Sequence, residues 1–298
     1  MGIDPKGESQ MRSRFTGTLV VGAVFALVLS ACASNSSTGG GGGGTPTPTA
    51  TAALNTLTPG VLLVGSCLAY KPFEYYQGGQ LVGFDVEIMS AIAQKLGLTL
   101  QWKKADFDTI FTALAGHSFD AVAAASTIKP SRLQVVDFSN PYYNSRQAFS
   151  VNTTKTPTLT NTDQLTSSDT VGVQKGTTGM DWAEQNLAPK GVKIKTYTQA
   201  PDAFTDLEAG NLSGIINDEP SSQAEVQSRP GLKVVQPIDT GEHYGIAVAK
   251  DRPDILAAIN GALAAIMADG TYTTIFNKYF PGVPVPPEFS GSPTPAST

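Results

Sequence analysis

The sequence predicts an α/β protein made of two similar open sheet-and-helix units. Two observations carry this. Short β-branched or apolar runs alternate with amphipathic helical stretches from residue 59 to about residue 281, the pattern of a mostly parallel sheet covered by helices on both faces. A β-α-β-α-β order also occurs twice, and the two copies share a local signature. Asp108 to Ala115-Gly116 corresponds position by position to Asp202 to Ala209-Gly210, and each leads into a short strand. A chain of 298 residues has room for both units at ~100–200 residues per domain.

In the first copy, residues 60–66 (GVLLVGS) read as a strand. Asp85 is placed to cap a helix over 86–96, whose apolar residues are Val86, Ile88, Met89, Ile92 and Leu96 and which Gly97 ends. The next strand is expected over 98–103, then a helix over 107–115 stopped by Gly116, then a buried run of small and apolar residues over 121–125. The second copy reads as strand 170–174, helix 179–187, strand 192–197, helix 201–209 and strand 214–217. Helices over 254–267 and 271–279 follow, and a Pro-rich tail begins at Pro281.

The N-terminal segment is an address. Arg12 and Arg14 precede an apolar run over 18–29 that is too short to span a bilayer. It closes with Leu29-Ser30-Ala31-Cys32, which resembles the bacterial lipoprotein box. That resemblance implies a leader over residues 1–32 and lipidation of Cys32. Residues 33–58 hold six consecutive glycines and a Thr-Pro repeat. Such a segment cannot bury enough apolar area to offset its backbone entropy and is expected to be a flexible tether. Its reach is roughly 30 Å in root-mean-square terms, enough to hold a domain clear of a membrane.

Composition excludes several classes. Apolar residues are 41% and charged residues 15%, which suits a packed core rather than disorder. Lys+Arg 20 against Asp+Glu 25 gives a net charge of −5 with no basic block, so no nucleic-acid partner is expected. Two cysteines and two histidines make neither a disulfide framework nor a His-rich metal site. No metal and no cofactor is expected. Gly-x-Ser-x-Gly, Walker and His-Glu-x-x-His motifs are absent from the sequence.

Open α/β sheets bind ligands beyond the C-terminal ends of their strands, so the residues after Val64, Ala125, Gln174 and Asn217 are the candidates. After Ala125 come Ser126-Thr127 and, a turn later, Arg132, whose planar fork suits a carboxylate. After Asn217 comes Asp218, a carboxylate on the other unit. Gln174 is followed by Lys175-Gly176-Thr177-Thr178-Gly179, a Gly/Thr turn opening a helix and suited to an anion. Val64 is followed by Cys67 and by Tyr70, an aromatic face with a polar tip. Together these groups suit a zwitterion. Arg132 and Thr127 would take an α-carboxylate, Asp218 an α-ammonium, and Thr178 a further carboxylate contact.

Specific stretches carry a family resemblance. They include Tyr70-Lys71-Pro72-Phe73-Glu74, Leu81-Val82-Gly83-Phe84-Asp85, Ser126-Thr127-Ile128 through Arg132, Val136-Asp137-Phe138-Ser139-Asn140-Pro141-Tyr142, Asp218-Glu219-Pro220 and Tyr244-Gly245-Ile246-Ala247-Val248. Across residues 59–281 the chain resembles family 3 extracytoplasmic solute-binding proteins of amino-acid ABC importers. The resemblance implies a periplasmic-binding-protein type II fold: two open α/β lobes joined by two hinge strands, with ligand in the interlobe cleft. It implies lobe 1 at 59–146 plus 240–285, lobe 2 at 147–239, hinges near 144–148 and 238–242, and a flexible tail over 286–298. Gly83, Phe84 and Asp85 are assigned to folding, as a turn, a core ring and a helix cap. The ligand-binding residues expected are Tyr70, Phe107, Ala125, Thr127, Arg132, Gly176, Thr178, Asp218 and Cys67, with the resemblance placing Tyr70 and Phe107 around the ligand side chain.

Cys67 departs from the pattern. It stands where relatives that bind cationic or amide side chains commonly have Asp, and a thiol is neutral at pH 7. A neutral polar L-amino acid is therefore expected, glutamine first, with basic or acidic amino acids as alternatives. The implied protein is a monomer and not an enzyme. It is lipid-anchored outside the cytoplasm of a bacterial cell, touches the membrane only through its anchor, and is partnered by importer membrane subunits. Amino-acid sensing for a membrane receptor and a dehydratase on the same fold are the other readings.

Overall fold

The computed structural model describes residues 54–291; the leader, Cys32 and most of the tether fall outside them. In chain order the elements are β1 Val61–Ser66, β2 Tyr75–Gln77, β3 Gln80–Val82, α1 Phe84–Leu96, β4 Thr99–Lys104, α2 Ile110–Ala115, β5 Ala121–Val122, α3 Pro130–Leu133, β6 Val136–Phe138 and β7 Tyr143–Asn152. There follow β8 Thr170–Gln174, α4 Thr178–Asn186, β9 Lys193–Tyr197, α5 Ala200–Ala209, β10 Gly214–Asp218, α6 Glu219–Gln227, β11 Leu232–Tyr244, β12 Ala247–Ala249, α7 Pro253–Ala268 and α8 Thr271–Tyr279.

Two five-stranded sheets result. The first runs β4-β1-β5-β12-β6, with β4, β1 and β5 parallel and β12 antiparallel to both its neighbours. The second runs β11-β7-β10-β8-β9, with β10, β8 and β9 parallel and β7 antiparallel to β10 and β11. The inner parallel strands β1, β5, β8 and β10 are short, largely buried runs, as helix-covered parallel strands must be, whereas the edge strands β4 and β9 are largely exposed. One face of the first sheet packs on α1, α7 and α8 through an aromatic cluster around Phe84, whose ring meets Tyr142, Tyr143, Tyr272, Phe276 and Phe280 within 6.2 Å. Its other face carries α2 through Ile110 and Leu114, with Phe119 from the loop before β5 in the same cluster.

The long strands β7 and β11 join the two sheets. They pair from Tyr143↔Tyr244 to Asn152↔Leu232, with a register shift between Ile238 and Glu242. That shift falls where the chain passes from one sheet to the other.

Several local expectations are corrected. Asp85 is not a cap: Gly83 is, without a side-chain bond. The Asp85 carboxylate is buried and accepts from Ala125 N–H and Tyr142 Oη, both at 2.8 Å, tying α1 to the loop after β5. Gly83 has φ 140°, and a Cβ there would lie 2.0 Å from the Phe73 carbonyl oxygen, so only glycine fits. The helix expected from residue 107 begins at Ile110, and the strand expected to residue 125 ends at Val122. The tether's end is docked, since Asp120 accepts from the Leu57 and Leu63 N–H groups and Thr56 is buried. Part of the expected flexible tail also packs, with Phe289 buried against Tyr272.

Candidate ligand-binding site

The ends of β1, β5, β8 and β10 converge on one cleft between the sheets. Cys67, Tyr70, Phe107, Ala125, Thr127 and Arg132 line it from the first lobe, and Thr178 and Asp218 from the second. Ala124, Gln174 and Thr177 complete the wall. Gly176 joins differently, through its carbonyl oxygen, which accepts from Arg132 at 3.1 Å. It sits at φ 78°, and a Cβ there would come 2.8 Å from Asp108 Cα, so the lobes meet closely only because this residue lacks a side chain.

Arg132 lies in the single turn of α3, started by Pro130, and is 5% exposed. One guanidinium nitrogen donates to Thr127 O at 2.7 Å. The group also stands over the rings of Phe107 and Phe111, at 5.0 and 4.7 Å from their centroids, a favourable cation–π placement. Burial lowers its pKa to about 10, against the pull of Asp218 and Glu242, and it remains cationic at neutral pH. Phe107 thus serves the α2 core and the cleft wall at once.

Asp218 ends β10 and is buried. Its Oδ2 accepts from Tyr70 Oη at 2.9 Å and Tyr244 Oη at 2.6 Å, and its Oδ1 accepts from Gln147 Nε2. Burial, and then the neighbouring Glu242 carboxylate, push its pKa up to about 7, while the donated hydrogen bonds oppose the rise. Thr178 opens α4, where the Thr177 hydroxyl caps the helix by accepting from Met180 N–H at 3.1 Å.

Cys67 is a buried free thiol that donates to Glu74 Oε1 at 3.2 Å. Burial and then the Glu74 charge push the thiol well above its ordinary pKa. Burial and then Asp85 hold the Glu74 carboxyl well above the usual carboxylate range. This end of the cleft therefore resists charge of its own. Lys71 turns away, lying over the Tyr75 ring.

Sequence reasoning missed Gln147, Glu242 and Glu74 as parts of the site. Gln147 and Glu242 stand in β7 and β11 within the expected hinges, but their contact with the cleft follows from strand register, which no local signal encodes. Among the described residues, no group of three or more His, Cys, Asp or Glu is arranged to hold a metal ion.

The sequence model of bacterial extracellular solute-binding proteins, family 3, matches residues 62–282. The chain belongs to this family. Family 3 relatives include the L-arginine-binding protein of Pseudomonas aeruginosa, 31% identical over 73% of this chain and 86% of that one. A probable histidine-binding protein of Neisseria gonorrhoeae is 33% identical over 87% of this chain and 92% of the relative. Among solved structures, an ancestral arginine-binding protein bound to glutamine is 37% identical, with a TM-score of 0.71 over 75% of this chain and 99% of that one. The two-lobe type II architecture expected from the family resemblance is thereby borne out.

Proposed function

We propose that this protein captures a polar L-amino acid in the interlobe cleft and, anchored to the outer face of the cell membrane through lipid on Cys32, delivers it to an ABC importer. One observation carries the reading: a buried guanidinium, Arg132, and a buried carboxylate, Asp218, line the same cleft from different lobes. Arg132 suits an α-carboxylate and Asp218 an α-ammonium. Neither lobe holds both, so ligand favours closure by the contacts it makes only there. Tyr70 and Phe107 supply apolar walls for the side chain. Glutamine is favoured because Cys67 offers no charge at its end of the cleft. The relatives named for arginine and histidine make a basic amino acid the competing ligand.

A dehydratase reading needs Asp218 and Glu219 as an acid–base pair. Glu219 instead pairs with Arg146, through hydrogen bonds of 2.5 and 3.1 Å, and it does not line the cleft.

The test is a melting scan of residues 53–290 against all common amino acids after removal of bound ligand by refolding. At a thousandfold excess over Kd, linkage gives about 4 kcal/mol of stabilisation. The expected result is a large rise for one or two polar L-amino acids, with glutamine foremost. A flat panel overturns the binding reading, and arginine or histidine above glutamine by tenfold in Kd overturns the glutamine preference.

A further inference from the structure

Glu242 lies on β11, where the chain crosses between the lobes, and is 5% exposed. Its carboxylate receives four donors. Thr127 Oγ1 of the first lobe and Thr178 Oγ1 of the second both donate to Oε2, at 2.5 and 2.8 Å. Gln147 Nε2 and Thr240 Oγ1 donate to Oε1, at 2.9 and 2.8 Å.

A hydroxyl has one proton to give and two lone pairs. With that proton committed to Glu242, Thr127 and Thr178 can meet a ligand only as acceptors. Gln147 Nε2 also lies 3.1 Å from Thr178 Oγ1, but its two protons face the carboxylates of Asp218 and Glu242, so Thr178 keeps its lone pairs for a ligand. The Gln147 amide cannot turn over to change this, because its nitrogen faces the carboxylates of Asp218 and Glu242 together and its oxygen would be repelled there.

We propose that Glu242 is a specificity-determining positioning residue that sets the hydrogen-bond polarity of the cleft. By taking the hydroxyl protons of Thr127 and Thr178, it makes both side chains acceptors for the ligand's ammonium beside Asp218, and it leaves the ligand's carboxylate to Arg132 and backbone N–H groups. This rests on the amino-acid reading above and reassigns the two threonines within it. An α-ammonium has three protons, and the cleft then offers three acceptors: Thr127, Thr178 and Asp218. A ligand without the amino group leaves all three unmet, which selects amino acids over carboxylic acids of the same length.

The test compares L-glutamine with glutaramic acid, and L-arginine with 5-guanidinopentanoic acid, by calorimetric titration. Wild type is expected to prefer the amino member by about 100-fold or more, the scale of charge-assisted hydrogen bonds left unmade. Glu242→Gln is expected to reduce that preference about tenfold while leaving affinity for the des-amino member within about threefold, and Glu242→Asp to restore part of it. Equal losses for both members would mean a merely structural role and overturn the proposal, as would an unchanged ratio. Thr178→Val, which removes one acceptor, is expected to narrow the ratio in the same direction and decides the matter if Glu242→Gln does not fold. If neither amino acid binds wild type, the proposal falls together with the amino-acid reading. Binding with an unaltered ratio defeats the proposal alone.

Discussion

The Tyr70 phenol donates to Asp218 Oδ2 at 2.9 Å, although 148 positions separate the two in sequence. Each belongs to a different lobe, so this bond exists only when the lobes are closed. Tyr244, on the crossover strand, donates to the same oxygen at 2.6 Å and holds the carboxylate in place. Asp218→Asn removes the anion while preserving size. It is expected to weaken amino-acid binding by about 100-fold, as measured by calorimetry on the leading ligand. Unchanged affinity would remove Asp218 from the site.

Asp218 also predicts how binding depends on pH. Its pKa of about 7 means that the carboxyl is half protonated near neutrality, whereas an α-ammonium favours the anion. Affinity is therefore expected to fall as pH drops below 7, by up to about tenfold per unit. Binding at pH 6 should release a proton, visible as a dependence of the apparent enthalpy on buffer ionisation enthalpy. A pH-independent Kd between 5.5 and 8 counts against this.

Stability without added ligand runs the opposite way. Asp218 at about 7 and Asp85 at about 6 both lie above their unfolded values, so the folded state binds more protons between roughly pH 4 and 7. Their contribution to stability is present at low pH and is lost as pH rises through the folded pKa values. Urea midpoints are expected to be higher at pH 5 than at pH 8, and Asp218→Asn should flatten that slope.

Two ion pairs cross the cleft mouth in opposite senses: Lys129–Asp181 at 2.5 Å and Lys175–Asp108 at 2.7 Å. Lys175 is well exposed, so screening by salt limits its pair to a small effect. Raising ionic strength from about 0.05 to 0.5 M is expected to weaken ligand binding by less than about tenfold, chiefly through faster release. Lys129→Met should remove much of that salt dependence in stopped-flow traces.

Cys67→Asp would place a carboxylate beside Glu74 at the side-chain end of the cleft, where the present contact is 3.2 Å. The ratio of arginine to glutamine affinity is expected to rise by at least about tenfold, together with a drop in stability at neutral pH from a second buried acid. A ratio that does not move would show that this end of the cleft does not read the side chain.

The two repeated α/β units, their order and most strand positions were legible because hydrophobic period and Gly stops are local properties of the chain. The strand-end rule likewise pointed to Arg132, Asp218, Thr127 and Thr178, since it needs only strand positions and side-chain chemistry. Asp85 shows where local reading fails. Its place ahead of a helix resembles a cap, but its partner is the Ala125 N–H, 40 residues away, and burial against that group outweighs the local signal. Phe289 and Thr56 are similar cases: their polar, Pro-rich surroundings suggest solvent, and only the packed surface of the first lobe gives them something to bury against.

By itself, then, the sequence determined the family, the two-lobe architecture and the kinds of charge that line the cleft. Only the tertiary structure decided how those charges are wired. Gln147 and Glu242 come together with Thr127, Thr178 and Asp218 through the pairing of β7 with β11 and the register shift before Glu242. That register depends on strands 95 residues apart at Gln147 and Glu242, and long-range pairing of this kind leaves no periodic trace in either strand.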